Sequence, residues 1–137
     1  MEIITRTFRQ TQNLGEKLAG KLKTGGVVCL YGDLGSGKTT FTQGLAKGLG
    51  IKQKIISPTF IIARQYHFPK SFFYHVDLYR LTSLDDAKVI GLEEMWENKK
   101  NIVVIEWPEI IEKILPIRHY KVCFTTLSET TRSLLIN

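Results

Sequence analysis

The sequence contains an eight-residue segment, Gly32-Asp33-Leu34-Gly35-Ser36-Gly37-Lys38-Thr39, which matches G-x-x-x-x-G-K-[ST] at every position. This pattern is typical of the P-loop, in which glycines let consecutive backbone N–H groups point at phosphate oxygens. Lys38 is expected to reach the β- and γ-phosphates, and the Thr39 hydroxyl is expected to bind Mg²⁺. The sequence therefore predicts a phosphate-binding loop formed by the N–H groups of residues 35–39.

The segments on either side of this loop fit the strand–loop–helix unit to which a P-loop belongs. Residues 27–31 are a short apolar run that predicts a buried strand. After the loop, Phe41, Leu45 and Leu49 recur every four residues, and Gly50 stands where a glycine commonly ends a helix. A glycine-rich turn that binds nothing is the competing interpretation, and both flanks disfavour it.

The remaining apolar patterns predict an α/β fold, a P-loop NTPase-like mixed β-sheet flanked by helices in a single domain over residues 1–137. Helices are expected from Thr11, as N-cap, to about Lys23, from the capping-box residue Ser83 to Gly91, and after Pro108. Further strands are predicted over Ile3–Phe8, Thr59–Tyr66, Phe72–Tyr79, Asn101–Glu106, Tyr120–Thr125 and Arg132–Ile136.

Charge is unevenly distributed along this chain of net charge +6. Residues 1–84 carry twelve Lys and Arg against four Asp and Glu, whereas residues 85–112 carry three against eight. Such a division can orient a small domain toward a partner or toward RNA. Because the basic residues are scattered singly, a solvated surface is the favoured explanation, and a tRNA contact stays open. Without a bilayer-length apolar run or a signal peptide, the chain is expected to be cytoplasmic and not membrane-bound.

Two carboxylates follow apolar strand residues and are candidates for binding the metal ion and for positioning water. Glu106 ends the apolar run 102–105, which fits the acidic strand end beside a P-loop. Asp77 lies in an apolar segment, and strand alternation places it on the same face as His75. A solvated edge carboxylate, or a structural ion pair such as Asp77 with Arg80, is the alternative for each.

Two further features have functional and structural interpretations. Ser57-Pro58-Thr59 resembles a region where GTPase-like proteins place a threonine that senses the γ-phosphate, although a plain turn fits equally well. Trp107 fits either a core aromatic or a ring that stacks on a partner or base. Because Asn98-Lys99-Lys100-Asn101 lacks the acid of an N-K-x-D motif, ATP is favoured over GTP.

Together these segments closely resemble the bacterial TsaE family, also called YjeE, a P-loop component of tRNA threonylcarbamoyladenosine synthesis. The resemblance covers nearly the whole chain and is specific because several motifs occur in order. They are Thr11-x-x-Leu14-Gly15, the P-loop continuing through Thr40-Phe41, Ser57-Pro58-Thr59-Phe60, His75-Val76-Asp77-Leu78-Tyr79-Arg80, Ile105-Glu106-Trp107-Pro108 and Leu115-Pro116.

The resemblance implies ATP or ADP and Mg²⁺ at the P-loop, with Thr39 and Glu106 at the metal positions. Asp77 matches a functionally required acid near the γ-phosphate, and Trp107 matches the tryptophan beside the metal-binding glutamate. The predicted catalytic residues are Lys38, Asp77 and Glu106. The predicted nucleotide-binding residues are Gly35, Ser36, Gly37, Lys38, Thr39, Thr40, Thr11, Thr59, Trp107 and Arg132.

Two of these residues keep a structural alternative: Arg132 as a surface arginine that opens an edge strand, and Thr11 as a helix cap. The resemblance further implies action with TsaD, which transfers the threonylcarbamoyl group to adenosine next to the anticodon, and with its dimer partner TsaB. The expected activity is a Mg²⁺-dependent ATPase that is weak alone. The alternatives are a nucleotide-gated binding module with incidental hydrolysis and, less favoured because the chain has no room for a lid, a small-molecule kinase.

Overall fold

The computed structural model describes residues 1–58, 61–69 and 71–137, and in this part of the chain seven strands form one sheet. The strands are β1 (Glu2–Thr5), β2 (Gly26–Tyr31), β3 (Ala63–Phe68), β4 (Ser71–Asp77), β5 (Ile102–Glu106), β6 (Tyr120–Thr126) and β7 (Arg132–Ile136). The helices are α1 (Phe8–Ala19), α2 (Lys38–Gly48), α3 (Leu84–Val89), α4 (Leu92–Glu97) and a 3₁₀ helix (Pro108–Ile114). The predicted α/β fold with a mixed sheet and flanking helices is confirmed.

The strand order is β1-β7-β6-β2-β5-β4-β3. The four central strands are parallel, because β2 pairs in parallel with β5 and β6, and β4 pairs in parallel with β5. The outer strands β1, β7 and β3 join through antiparallel pairs. The carboxyl ends of β2, β4, β5 and β6 therefore meet at one edge of the sheet, where ligands of such sheets bind.

Two apolar layers cover the sheet, and the period-2 alternation of β2 shows how they are divided. Val28 and Leu30 face the layer that contains Leu18 of α1 and Phe41 of α2. The intervening residues of β2 face the opposite layer, which contains Ala87 of α3, Leu92 of α4 and Ile111 of the 3₁₀ helix. Strands β2 and β5, at the centre of the parallel group, are buried on both faces, which explains their continuous apolar sequences.

Helices α1 and α2 pack side by side through glycine. A Cβ atom added at Gly44 would lie 1.9 Å from the backbone oxygen of Gln12, and one added at Gly15 would lie 2.2 Å from the backbone oxygen of Phe41. Only a residue without a side chain allows the two backbones this approach. Since α2 begins with Lys38, this close contact fixes the position of the predicted P-loop.

Helix α1 begins earlier than predicted, which corrects the role of Thr11. Thr7 is the N-cap: it is extended, and its hydroxyl accepts from the Gln10 N–H at 3.1 Å. Thr11 lies inside the helix, where its hydroxyl is 2.7 Å from that of Thr5. The predicted β1 ran to Phe8, but the strand ends at Thr5 because this cap already starts the helix.

Other boundaries shift less. Helix α1 ends at Ala19 rather than near Lys23, and β3 spans Ala63–Phe68 instead of the predicted 59–66. Thr59 lies outside the described residues. The capping box is confirmed, since the Ser83 hydroxyl accepts from the Asp86 N–H at 3.1 Å. No helix within the described residues is long and apolar enough to cross a bilayer.

Candidate nucleotide-binding site

The predicted P-loop leaves the carboxyl end of β2 and opens directly into α2. Gly35 and Gly37 have φ of 75° and 103°, left-handed values that strain a residue carrying a side chain. Gly37 is the N-cap of α2 and supplies no side-chain hydrogen bond to the helix. The first N–H groups of α2 thus have no side-chain cap from this position, and with the helix dipole they form the kind of site that binds anions.

Lys38, the first residue of α2, lies across the loop and is only 4% exposed. Its ammonium donates to the Gly32 carbonyl at 2.6 Å and is 3.9 Å from the ring centroid of Trp107. Burial lowers the pKa of Lys38, and the nearby carboxylates of Glu106 and Asp77 act in the opposite direction. The lysine is therefore held between an aromatic ring and two acids at the mouth of the loop.

The two predicted carboxylates are direct neighbours, because Asp77 and Glu106 are register partners at the ends of β4 and β5. Each is 4% exposed, and neither strand is at the edge of the sheet. Glu106 Oε2 accepts from the Thr39 hydroxyl at 3.4 Å, while Asp77 Oδ1 accepts from the Tyr79 N–H at 2.9 Å. The burial rules out a solvated edge carboxylate for either residue.

His75 is a functional candidate that is absent from the site residues predicted from the sequence. Its side chain is fully buried, and its Nε2 lies 2.6 Å from Glu106 Oε2. Among the described residues its Nδ1 has no hydrogen-bond partner. His75 therefore fixes the orientation of the Glu106 carboxylate. The signal was the strand alternation that puts it on the same face as Asp77.

Trp107 follows β5 directly and adopts a left-handed conformation, φ 56° and ψ 55°. Such backbone in a bulky residue costs about 1–3 kcal/mol and occurs most often at functional sites. The ring is half-buried beside Tyr79, with centroids 4.9 Å apart, and its face lies against the Lys38 ammonium. Trp107 thus combines packing with a cation–π contact to the P-loop lysine.

Most of the predicted site residues line one cavity of about 310 Å³. They are Gly35, Gly37, Lys38, Thr39, Thr40, Asp77, Glu106, Trp107 and Arg132, joined by Phe8, Leu34 and Ser57. Ser36 does not line it; this residue faces a neighbouring cavity of about 240 Å³ on the other side of the loop. Thr11 lines neither of these two cavities.

Arg132 and Thr11 both lie beside the predicted P-loop. Arg132 is 6% exposed, so a surface arginine is the wrong description. One guanidinium nitrogen donates to the Gly35 carbonyl at 3.1 Å, and the other donates to the Ser128 carbonyl at 2.7 Å. A Cβ atom added at Gly37 would contact the Thr11 methyl group at 3.7 Å. Arg132 therefore holds the backbone of the predicted P-loop, and Thr11 lies close to the loop at Gly37.

The donor set of the cavity fits a magnesium ion held jointly with phosphate. Mg²⁺ prefers oxygen ligands and keeps several waters, so one carboxylate and one hydroxyl are enough protein ligands beside phosphate oxygens. Thr39 and Glu106 supply these two oxygens at hydrogen-bond distance from each other. Within the described residues no group of three or more His, Cys, Asp or Glu could hold a metal by itself.

Comparison with known proteins identifies the family. The profile of the family described as threonylcarbamoyl adenosine biosynthesis protein TsaE matches residues 5–134. The chain belongs to the TsaE family. This confirms the resemblance drawn from the sequence motifs.

TsaE relatives agree with this assignment over most of their length. The tRNA threonylcarbamoyladenosine biosynthesis protein TsaE of Treponema pallidum is 37% identical over 136 residues, 99% of each chain. The protein of the same name in Synechocystis is 39% identical over 117 residues, 83% of this chain and 74% of the relative. The crystal structure of Bacillus subtilis YdiB superposes with a TM-score of 0.77 at 29% identity, covering 98% of this chain and 82% of that one.

In this TsaE chain, Phe8 and Ser57 also reach the cavity, although neither was among the predicted site residues. Ser57 belongs to the turn that the sequence reasoning singled out for Thr59. Phe8 gave no signal, since one aromatic residue before a helix is unremarkable in sequence. Only the packing of α1 beside the P-loop places its ring at the cavity.

Proposed function

We propose that the protein binds and hydrolyses ATP with Mg²⁺ and in this way serves tRNA threonylcarbamoyladenosine biosynthesis, the process for which its TsaE relatives are named. The observation that carries this proposal is the convergence of Lys38 and Thr39 with two buried carboxylates, Asp77 and Glu106, at one cavity. A structural glycine loop has no need of such acids. P-loop enzymes that transfer a phosphoryl group to water need a lysine, a metal site and a water-positioning group together.

Each residue has a distinct role in this proposal. The N–H groups at the start of α2 and the Lys38 ammonium bind the phosphates. Thr39 and Glu106 hold Mg²⁺, which when bound neutralises charge on the phosphate oxygens. His75 keeps the Glu106 carboxylate in one orientation through the bond at 2.6 Å. Without that contact the carboxylate could turn away from the metal position.

Asp77 is assigned to the attacking water. Its carboxylate lines the cavity beside Glu106 and is fixed by the Tyr79 N–H. Because Glu106 already interacts with Thr39 and His75, Asp77 is the acid better placed to orient a water molecule and accept its proton.

Turnover by the chain alone is expected to be slow. The cationic side chains among the described lining residues are Lys38 and Arg132. The Arg132 guanidinium already donates to backbone carbonyls of the loop and of the β6–β7 turn, which leaves Lys38 to stabilise charge in the transition state. We therefore propose that TsaB and TsaD complete the reaction environment and increase the rate.

The test combines nucleotide binding with phosphate release. Lys38→Ala is expected to abolish ATP binding, whereas Glu106→Ala is expected to retain part of the binding and to lose Mg²⁺-dependent hydrolysis. Lys47→Ala is a matched control, because Lys47 lies on the exposed side of the same helix and pairs only with Glu16 at 3.5 Å among the described residues. Unchanged hydrolysis in both site variants would refute the assignment of the site.

A nucleotide-gated binding module is the second candidate, favoured by Ser57, which brings the turn after α2 to the cavity. In that case ATP would order this turn and promote partner binding without hydrolysis. The two candidates differ at Asp77→Ala. If the protein is an ATPase, this variant should lose the increase in ATP hydrolysis that TsaB and TsaD cause. If it is a gated binding module, the variant should still bind TsaB and TsaD in an ATP-dependent way.

A further inference from the structure

We propose that Phe8 forms a nucleobase subsite at the end of the cavity away from the carboxylates, where its ring stacks on the base and no Asn or Gln among the described lining residues reads the base edge. The site would then take ATP and GTP with little discrimination, which departs from the preference for ATP expected from the missing N-K-x-D motif. This inference rests on the proposed binding of a nucleoside triphosphate to the P-loop. It adds where the base lies and why the site distinguishes bases only weakly.

The direction of the nucleotide follows from the order of the strands. Asp77 and Glu106 end β4 and β5, on one side of the P-loop strand β2. On the other side, Thr5 of β1 pairs with Arg132 of β7, so that α1 begins at the same edge of the sheet. With the terminal phosphate at Lys38 and the carboxylates, the nucleoside extends toward the start of α1.

Phe8 is the first residue of α1 and lines the cavity there. Its side chain is 56% exposed and belongs to neither apolar layer of the described residues, whereas Leu18 of the same helix is buried in one. More than half of this side chain is therefore open to a ligand. Leu34 of the P-loop, 66% exposed, adds a second apolar side chain to the cavity. An exposed aromatic ring beside an anion site offers a base a stacking surface.

The other lining side chains explain the predicted lack of selectivity. Lys38, Thr39, Asp77 and Glu106 are grouped at the phosphate end by their mutual contacts. The Arg132 guanidinium donates to backbone carbonyls. No Asn or Gln is present among the described lining residues to form the paired hydrogen bonds that distinguish one purine from another. Stacking is available to every base and separates them only weakly.

The experiment distinguishes binding through the base from binding through the phosphates. Calorimetric titration of the full chain with ATP, GTP and inorganic tripolyphosphate, each with Mg²⁺, measures the three affinities. For the unmodified chain we expect ATP and GTP to bind within about fivefold of each other. Phe8→Ala is expected to weaken both by about 5- to 150-fold, the range for loss of one base–aromatic stack. Tripolyphosphate affinity is expected to stay the same.

Two control variants define the role of the ring. Phe8→Trp keeps an aromatic surface and is expected to keep nucleotide affinity. Val89→Ala removes an apolar side chain that is 86% exposed on α3 and is expected to change no affinity.

Each contrary result has its own meaning. Equal weakening of tripolyphosphate and ATP in Phe8→Ala, unchanged ATP affinity in that variant, or a preference above about 100-fold for ATP over GTP would each overturn the subsite. In these cases the unmodified chain still binds ATP, so the proposed function survives. An unmodified chain that binds neither nucleotide nor tripolyphosphate would overturn both.

Discussion

Replacing His75 tests whether a residue outside the cavity lining controls the proposed Mg²⁺ site. The ring is fully buried, and its Nε2 lies 2.6 Å from the Glu106 carboxylate. In His75→Leu the volume is similar but the hydrogen bond is lost. A hydrogen bond to a carboxylate contributes about 1.5–3 kcal/mol, and we expect the free energy of unfolding to fall by this amount. Loss of a residue that orients a metal ligand lowers metal affinity about 10- to 100-fold.

The assay compares ATP binding as Mg²⁺ is titrated and urea unfolding without nucleotide. His75→Gln is the matched control, because its terminal amide can donate to Glu106 in place of the imidazole. We expect His75→Leu to need about 10- to 100-fold more Mg²⁺ for half-maximal tight binding, and His75→Gln to recover most of this loss. A folded His75→Leu variant whose Mg²⁺ requirement stays within twofold would refute the reasoning, because the histidine would then be a packing residue only.

Three further predictions concern the fold around the site. Burial lowers the pKa of Lys38, so the folded chain releases this proton at a lower pH than the unfolded chain does. The cost of the buried charge is fully present below the folded pKa and is lost as pH rises toward 10.5, whereas Lys38→Met has no such dependence. Urea unfolding should therefore show the unmodified chain gaining stability relative to Lys38→Met as pH rises through this range. Gly44→Ala would place a Cβ atom 1.9 Å from a backbone oxygen of α1 and should lower the free energy of unfolding by at least about 1–3 kcal/mol. Gly20→Ala is the control: its Cβ would lie 3.4 Å from the Lys17 backbone oxygen, and Gly20 has φ of −59°, so the free energy of unfolding should not fall. Burial raises the pKa of Cys29 to about 12, so this thiol is uncharged and inaccessible at pH 8. Iodoacetamide at pH 8 should therefore label only the half-buried Cys123 until the chain is unfolded. Early labelling of Cys29, detected by mass spectrometry, would contradict its burial.

The elements that could be predicted are those with local signals. The predicted P-loop has the glycines, lysine and threonine of the motif within eight residues of the chain, and the apolar run before Glu106 marks a strand buried on both faces. Ser83 was recognised because a capping box is a four-residue pattern. Thr11 was misplaced because Thr7, four residues earlier, is an equally good N-cap, and only the end of β1 selects between them.

Pairwise geometry could not be predicted in the same way. Strand alternation put His75 and Asp77 on one face, but the contact between His75 and Glu106 depends on the pairing of β4 with β5. Arg132 was left open because its environment is made by the P-loop, 97 residues away. Roles of the cavity residues toward ATP and Mg²⁺ remain predictions that the binding experiments test.

The grouping of basic residues at one end of the sheet could not be predicted from the sequence either. They are dispersed in sequence, yet Lys21, Lys99 and Arg118 line neighbouring cavities near the start of β2, at the end of the sheet opposite the P-loop. Three separate loops bring them together. Whether this end contacts tRNA stays a prediction, and filter binding with charge-reversed Arg118 would measure it.

The glycine-rich loop, the α/β class and the TsaE family could be predicted from the sequence, because each of these depends on residues that are neighbours in the chain or on motifs in order. Three contacts are visible only in the folded chain: His75 bonds to the Glu106 carboxylate, Arg132 donates to the Gly35 carbonyl, and Phe8 lines the cavity. The physical reason is distance along the chain. A motif fixes local backbone geometry, whereas a binding site is completed by side chains that only the pairing of strands and the packing of α1 on α2 bring within contact.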